Sequence, residues 1–155
     1  MTPHRALAPY DWPALLALIR AEFSGMEGRI DPPSSMHRLT AETIAEQATK
    51  AEVWVIGTPP RACVFLTPKA DALYIGKLAV RADQRRLGLA RALLTCAESR
   101  ARALGLALLE LETRVELVEN HATFRALGFT EVGRKSHAGF TRATSITFRK
   151  PVPEA

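Results

Sequence analysis

The middle of the chain carries a strand, a short arginine-rich turn and a helix in direct succession. Residues Ala72–Val80 have strand character, and the polar turn after them leads at once into a helix that begins near Gly88. The apolar residues of this helix recur at the spacing of one helical face and are Ala90, Leu93, Leu94, Ala97, Ala101 and Leu104. The first backbone N–H groups of a helix lack internal partners and lie at the positive end of its dipole. Because Gly88 and Ala90 add little bulk there, the sequence predicts an anion site, above all for phosphate groups, directly after a strand.

Positive charge is concentrated at the same turn. The chain has a formal net charge of +5, and Arg81, Arg85, Arg86 and Arg91 lie in or beside the turn. Such a balance favours a polyanionic partner, either a phosphorylated cofactor or a nucleic acid. Aromatic residues are not interleaved with these arginines, as they commonly are in a groove for single-stranded nucleic acid. A compact phosphate-bearing cofactor is therefore the favoured partner, and a nucleic acid is the weaker alternative.

The bulk of the sequence is typical of one globular domain. Its 155 residues fit a single domain spanning residues 1–155, and 47% of them are hydrophobic. No stretch reaches the length of a membrane span, and charged residues interrupt the N-terminal segment, so we expect neither a membrane partner nor a secretory signal. Cys63 and Cys96 lack the spacing of a metal site or a disulfide framework, which favours a cytoplasmic protein without a metal.

The order of the elements predicts an α/β fold. Two helices come first: Ala14–Phe23, behind a cap at Asp11, and a helix from the cap Thr40 to about Lys50. Three strand-like runs follow as an antiparallel meander: Val53–Gly57, Ala62–Leu66 and Ala72–Val80.

After the meander, helices and strands alternate. The helix that begins near Gly88 ends at Gly105, and Leu106–Leu111 is an almost continuous apolar run, which indicates a strand covered on both faces. A right-handed crossover would pair this strand in parallel with Ala72–Val80, which makes the sheet mixed. A short helix and two closing strands complete the chain: Asn120–Leu127, Phe129–Lys135 and Thr144–Phe148.

Two motifs resemble those of the GNAT N-acetyltransferase superfamily. Arg85-x-x-Gly88-x-Ala90 is similar to its pyrophosphate-binding signature, (Q/R)-x-x-G-x-(G/A), and lies between a strand and a helix. The segment Asn120…Phe124-x-x-x-Gly128-Phe129 resembles the family's second conserved block. The resemblance implies a GNAT-like three-layer α/β/α sandwich with a mixed, splayed central sheet. It also implies an enzyme that uses acetyl-CoA.

The resemblance further implies where coenzyme A binds. Its pyrophosphate would lie on the backbone amides of about Leu87 to Ala90, with charge added by Arg85 and Arg86. The edge of Leu78-Ala79-Val80 would pair with the pantetheine arm like an added strand, and the Val80 N–H would hold the acetyl carbonyl and later its oxyanion. The expected cofactor contacts are Leu78, Ala79, Val80, Arg85, Arg86, Leu87, Gly88, Leu89, Ala90, Arg91, Asn120 and Phe124.

The acid and base are less well marked. Many family members have a tyrosine acid where this chain has Phe124, so that role is vacant, or is filled by water or another residue. Glu110 and Glu112 share one face of a predicted strand near the expected cleft, and Glu112 is the candidate base, acting through a water. A salt bridge to an arginine is the alternative for both. His137 precedes a loop that could line the acceptor pocket, and His121 is expected at the surface near a helix start.

The implied reaction is direct transfer of the acetyl group from acetyl-CoA to a primary amine of a small molecule or a protein, in a ternary complex. A different acyl donor, an oxygen acceptor and a non-catalytic acyl-CoA-binding module remain as alternatives. Acceptor specificity would reside in Phe23–Arg38 and His137–Ala143, and the acidic residues near the first segment, which could attract a cationic amine, are Glu22, Glu27 and Asp31. The resemblance also implies a possible homodimer formed through the closing strands, as in other members of the family.

Overall fold

A mixed sheet separates two layers of helices. We describe the chain from a computed structural model, which covers residues 2–154 apart from the side chain of residue 37. In chain order its elements are β1 (His4–Arg5), α1 (Trp12–Phe23), α2 (Ala41–Lys50), β2 (Glu52–Ile56), β3 (Ala62–Pro68), β4 (Ala72–Val80), α3 (Leu89–Ala103), β5 (Leu108–Arg114), α4 (Val118–Ala126), β6 (Thr130–Lys135) and β7 (Ser145–Pro151). None of the helices within residues 2–154 is long and apolar enough to cross a membrane.

The seven strands lie in the order β1-β2-β3-β4-β5-β7-β6. Strands β2, β3 and β4 form the predicted antiparallel meander, and β4 pairs with β5 in parallel. The last strand, β7, returns between β5 and β6 and pairs with both in antiparallel fashion. The sheet is therefore mixed, as predicted, and β6 forms one edge.

A separate hydrophobic core lies on each face of the sheet. One core joins α3 to the sheet through Leu93, Ala97, Leu73, Leu109 and Phe148, and Phe124 of α4 packs against it. The other core joins α1 and α2 to the meander, and its members include Leu15, Ile19, Ile44, Val55 and Phe65. The residues named for the two cores are almost completely buried, except Phe124, which is partly buried. The predicted three-layer sandwich is confirmed.

Local signals place the ends of the helices that flank the sheet. Asp11 caps α1 by accepting a hydrogen bond from the Ala14 N–H at 3.1 Å, and Thr40 and Thr43 form a reciprocal capping box at the start of α2. Gly105 follows α3 with φ 72°, a left-handed conformation that ends the helix. These three ends agree with the sequence prediction.

The sheet splays between β4 and β5. Parallel pairing joins only Ala72–Tyr74 to Leu108–Glu110, although β4 continues to Val80 and β5 to Arg114. On its other side β4 carries a bulge, because the register to β3 shifts between Cys63 and Phe65 and Lys77 has φ 47°. The bulge lies directly after Gly76, two residues beyond Tyr74, where the pairing with β5 ends.

Three expectations need correction. The strand predicted as Leu106–Leu111 begins at Leu108 and runs to Arg114. Its successive residues Leu109, Glu110 and Leu111 are all buried, so its middle is covered on both faces, as predicted. Helix α4 begins at Val118, ahead of the predicted Asn120. His121 is buried, not at the surface, because its imidazole packs beside Phe148 and its Nε2 lies 2.9 Å from the Arg114 carbonyl oxygen.

Candidate active site

The turn after β4 presents open amides at the start of α3. Arg86 has φ 65° and Gly88 has φ 79°, so the chain enters the helix through left-handed backbone. No side chain of the described residues caps Gly88, whose carbonyl accepts from the Ala92 N–H at 2.9 Å. A Cβ at position 88 would meet no atom within 4 Å. The amides of Leu89 and Ala90 are thus directed at an open approach, as an anion site requires.

The arginines of the turn differ in their surroundings. Arg85 is paired with Glu22 of α1, so part of its charge is neutralised within the protein. Arg86 and Arg91 are exposed and have no ion pair with any described residue. The positive field at the start of α3 therefore comes mainly from Arg86, Arg91 and the helix dipole. The Arg85–Glu22 pair connects the turn to α1.

The unpaired edge of β4 faces the splay. The Arg81 N–H donates to the Arg61 carbonyl at 2.8 Å, toward β3. Because amides alternate in direction along a strand, the Val80 N–H is directed away from β3 and toward the gap that β5 leaves. Among the strands of residues 2–154, none pairs with that edge beyond Tyr74.

One cavity crosses the sheet at the splay. Its volume is about 350 Å³. Leu78, Asn120 and Phe124 line it on the α3/α4 face, whereas Phe23 and Met36 line it on the α1/α2 face. A ligand could therefore enter from the α3 side and meet a second ligand that enters from the α1–α2 side.

The two carboxylates of β5 lie on one face, as predicted, but have different surroundings. Glu110 is buried and accepts hydrogen bonds from Lys69 at 3.2 Å and from Arg149 at 2.8 Å. Burial favours the neutral acid, but these two hydrogen bonds outweigh it and hold the pKa of Glu110 below its usual value. Glu112 has one ammonium partner, Lys135, at 2.8 Å, and lines the cavity. Of these two carboxylates, Glu112 is therefore the one that a ligand in the cavity could contact.

Tyr74 lines the cavity beside Glu112 and was not singled out by the sequence analysis. Burial, followed by the charges of Glu112 and Glu110, raises the pKa of Tyr74 to about 12. The hydroxyl is thus protonated at neutral pH. Its position at the last residue of β4 that pairs with β5 explains why it reaches the cavity.

Asn120 and Phe124 both line the cavity, on successive turns of α4. Asn120 lies in the first turn of the helix, whose N-cap is Leu117, so Asn120 does not cap the helix. The Phe124 ring packs edge-on against Phe129, with centroids 5.9 Å apart. A proton donor is therefore absent at this point of the wall, as the sequence indicated.

His137 lines the cavity from the loop between β6 and β7. Its backbone N–H donates to Thr144 Oγ1 at 2.9 Å, and its Nδ1 contacts the same hydroxyl. These contacts hold the ring beside Thr144.

Thr113 is a cavity residue that the sequence analysis missed. Its Oγ1 is buried and has no hydrogen-bond partner among the described residues. It alternates along β5 with Glu112 and Arg114, and that alternation was readable in the sequence once the strand was extended to Arg114. An unsatisfied buried hydroxyl is costly, and a ligand with a polar group in the cavity would satisfy it.

The segment between α1 and α2 closes the other side of the cavity. Phe23, Met26, Ser34 and Met36 are shared with a second, larger cavity of about 590 Å³ beneath the same segment. Two of the acidic residues expected to attract an amine are already paired, Glu22 with Arg85 and Asp31 with Arg142. Glu27 lines the second cavity.

The comparisons with known proteins agree with this geometry. The model of the acetyltransferase (GNAT) family matches residues 12–129. The chain therefore belongs to the GNAT acetyltransferase family, and the prediction of a GNAT-type N-acetyltransferase is confirmed. A comparison with curated proteins finds no match.

Several solved structures are similar over nearly the whole chain. The ribosomal-protein-S18-alanine N-acetyltransferase from Escherichia coli is 23% identical, with a TM-score of 0.69 and coverage of 99% of this chain and 96% of that one. A GNAT family acetyltransferase from Elizabethkingia anophelis with acetyl-CoA bound is 17% identical, with a TM-score of 0.68 and 97% of each chain covered. An acetyltransferase of the GNAT family from Staphylococcus aureus is 13% identical, with a TM-score of 0.73 and coverage of 98% and 99%. At these identities the likeness confirms the fold.

Proposed function

We propose that this protein transfers the acetyl group of acetyl-CoA to a primary amine of a small molecule or a protein, by direct attack in a ternary complex. The observation that carries the proposal is the cavity that crosses the sheet between β4 and β5 and joins the two helical faces. Membership of the GNAT family supports the reaction class. A structurally similar protein with acetyl-CoA bound supports the choice of donor.

The described residues fit coenzyme A at three points. The open amides from Leu87 to Ala90 would bind its pyrophosphate, with Arg86 and Arg91 adding charge and Arg85 held by Glu22. The free edge of β4 from Leu78 to Val80 would pair with the amides of the pantetheine arm.

The third point is the wall opposite that edge. Asn120 and Phe124 would contact the arm from α4, and the unsatisfied Thr113 hydroxyl would bond to one of its polar groups.

Bound acetyl-CoA would supply an acetyl group activated as a thioester. The Val80 N–H, directed into the splay, would then donate to the acetyl oxygen as negative charge develops there. In other acyl-transfer enzymes such a donor contributes roughly 3 kcal/mol of transition-state stabilisation.

Glu112 is the residue we assign as the base. It would take a proton from the substrate ammonium, directly or through a water, since it opens onto the acceptor side of the cavity. Lys135 would hold the carboxylate in place.

The departing thiolate needs a proton that Phe124 cannot give. Tyr74 has a hydroxyl in the same cavity, but its pKa of about 12 lies well above that of a thiol, which is about 8.5. Transfer from Tyr74 would be uphill by several pKa units. The sulfur would therefore leave as the thiolate, and solvent would carry to it the proton that the attacking amine loses.

Binding and thiol release test the proposal together. Acetyl-CoA and free CoA should raise the melting temperature, whereas ATP and duplex DNA should not, because only the CoA species fill both the phosphate turn and the splay. Mixing acetyl-CoA with a panel of primary amines should release free thiol at a rate proportional to enzyme concentration.

Each other outcome favours a different function. Stabilisation by acetyl-CoA without thiol release from any amine or alcohol would favour the non-catalytic acyl-CoA-binding module, a function to which Phe124 and the paired Glu112 lend some support. Stabilisation by DNA alone would overturn the proposal. We also propose a homodimer, with the exposed edge strand β6 as the candidate contact. Light scattering measures the molar mass in solution and so tests it.

A further inference from the structure

Lys77 occupies an unusual position in β4. It lies in the bulge at which β4 and β5 part, its φ is 47°, and it lines the cavity that crosses the sheet. The bulge turns its side chain toward the α1/α2 face, where its Nζ lies 4.9 Å from the centre of the Phe65 ring. Lys77 is therefore directed to the acceptor side of the site.

The Lys77 ammonium has no anionic partner among residues 2–154. No described carboxylate forms an ion pair or hydrogen bond with it, and Glu112, the acidic residue of the same cavity, is paired with Lys135. Burial lowers the pKa of Lys77, whose Nζ lies over the face of the Phe65 ring. A negatively charged ligand group beside Nζ would remove this cost.

The remaining acceptor-side wall has an apolar part, beside the polar residues Ser34, Ser35, Arg114 and His137. Phe23, Met26 and Met36 line both this cavity and the adjoining one, to which Ile30 and Pro33 also contribute. The acceptor side thus offers a lysine on the β4 side, a carboxylate on the β5 side, and apolar side chains under the α1–α2 segment.

We infer that Lys77 binds a carboxylate of the acceptor, and that the acceptor is an amino acid with an apolar side chain. Its ammonium would lie toward Glu112, its carboxylate toward Lys77, and its side chain among Phe23, Met26 and Met36. This inference rests on the proposed acetyl transfer and adds the class of substrate. Lys77 would determine specificity and take no part in the proton transfers.

Matched acceptors test the inference. Leucine, methionine and phenylalanine are each assayed beside their amides, which keep the amine and the side chain but lack the carboxylate. For the wild type we expect kcat/KM to be at least about tenfold higher for the acid than for its amide, the discrimination that one charge-assisted contact provides. The two forms differ in amine basicity, so the decisive quantity is the change of this ratio between variants.

Three variants separate the role of the charge from that of the fold. Lys77→Met keeps the apolar stem over Phe65 and should abolish the preference for the acid while the Kd of acetyl-CoA is unchanged. Lys77→Arg keeps the charge and should restore part of the preference. Lys50→Met removes an exposed lysine of α2 and the same net charge, and should leave the ratio at the wild-type value.

The outcomes distinguish this inference from the proposed function. Equal rates for acid and amide in the wild type, the same ratio in Lys77→Met, or no turnover of either form would overturn the inference. Thiol release from amines that lack a carboxylate would leave the acetyl-transfer proposal intact in each of these cases. Absence of stabilisation by acetyl-CoA would instead overturn the proposed function itself.

Discussion

Neighbouring residues of one strand acquire different roles from their partners. Glu110 and Glu112 lie on the same face of β5. Glu110 is buried and forms ion pairs with Lys69 and Arg149. Glu112 forms one ion pair, with Lys135, and lines the cavity. A carboxylate with two cationic partners holds its negative charge too firmly to accept a proton. The pair therefore offers an internal control for the assignment of the base.

Glu112→Gln should lower kcat by about 100-fold, because removal of a positioned base typically costs that much or more. The Kd of acetyl-CoA should not change, since Glu112 lies on the acceptor side. Steady-state kinetics and calorimetry measure the two quantities. Glu110→Gln should show the opposite pattern, with a lower melting temperature and a near-normal kcat. A wild-type kcat and pH–rate profile in Glu112→Gln would remove Glu112 as the base.

Gly88→Glu should abolish binding of coenzyme A while the fold persists. The new carboxylate would stand where the pyrophosphate approaches, and a close pair of like charges costs several kcal/mol, or more than about 100-fold in Kd. Gly88→Ala isolates the backbone effect, since its Cβ meets no atom within 4 Å and only the φ of 79° is unfavourable. That strain costs about 1–2 kcal/mol of stability. An unaltered Kd in Gly88→Glu, measured by calorimetry, would displace the phosphate site from this turn.

At the scale of elements, hydrogen bonds and an ion pair hold the segment between α1 and α2 against the end of β5 and the start of α4. Arg114 donates to the carbonyls of Pro32 and Pro33, at 2.7 and 3.3 Å. The Asp31 N–H donates to Glu116 at 3.0 Å, and Arg29 pairs with Glu119 of α4 at 2.7 Å. The acceptor-side wall is thus an irregular segment whose position depends on side chains far away in the sequence.

Arg114→Met should loosen this wall without disturbing the cofactor side. Loss of its charge-assisted hydrogen bonds should raise the KM of the acceptor by about tenfold, whereas the Kd of acetyl-CoA should remain as in the wild type. Hydrogen exchange of residues 29–36 should become faster. Arg134→Met, which removes an exposed arginine paired with Glu131 on β6, is the matched control and should change neither quantity. Equal weakening of acceptor and cofactor binding would contradict a role confined to the wall.

At the scale of the whole molecule, the sequence predicted what local patterns determine. The meander, the crossover helix and the turn at Gly88 depend on short-range signals, and all three were predicted. The return of β7 between β5 and β6 was not, because strand order depends on contacts between distant segments. The burial of His121 was missed for the same reason, because it depends on the packing of α4 against Phe148 of β7.

The site was predictable to a similar extent. The cavity residues Leu78, Asn120 and Phe124 were expected from the family resemblance and Glu112 from strand alternation, whereas the phosphate role of the turn at Gly88 stays a prediction. Lys77, Tyr74 and Thr113 were missed, because they reach the cavity only through the bulge and the splay. Those two irregularities depend on where β4 stops pairing with β5, which contacts between distant segments determine.

An ion pair between β2 and α3 makes the stability of the fold depend on pH. Glu52 of β2 is buried and accepts hydrogen bonds from Arg100 of α3 at 2.7 and 2.8 Å and from the Trp54 indole at 2.9 Å. The hydrogen bond from Arg100 acts most strongly and, against the effect of burial, holds the pKa of Glu52 below its usual value. A pKa that is lower in the folded than in the unfolded state stabilises the fold above the unfolded-state pKa, near ~4.3, and this contribution is lost as the pH falls through the folded-state value.

Glu52→Gln should therefore lower the free energy of unfolding by about 1–3 kcal/mol at neutral pH. The difference from the wild type should shrink progressively below about pH 4. Urea denaturation of both proteins from neutral to acidic pH measures it, with Glu46→Gln as an exposed control whose effect should stay below about 1 kcal/mol throughout. A difference that is independent of pH would mean that packing around Glu52, and not its charge, joins β2 to α3. The ion pair also bears on the site, because α3 begins with the amides that we assign to the pyrophosphate. If loss of the pair makes α3 less stable, the Kd of CoA should rise as well.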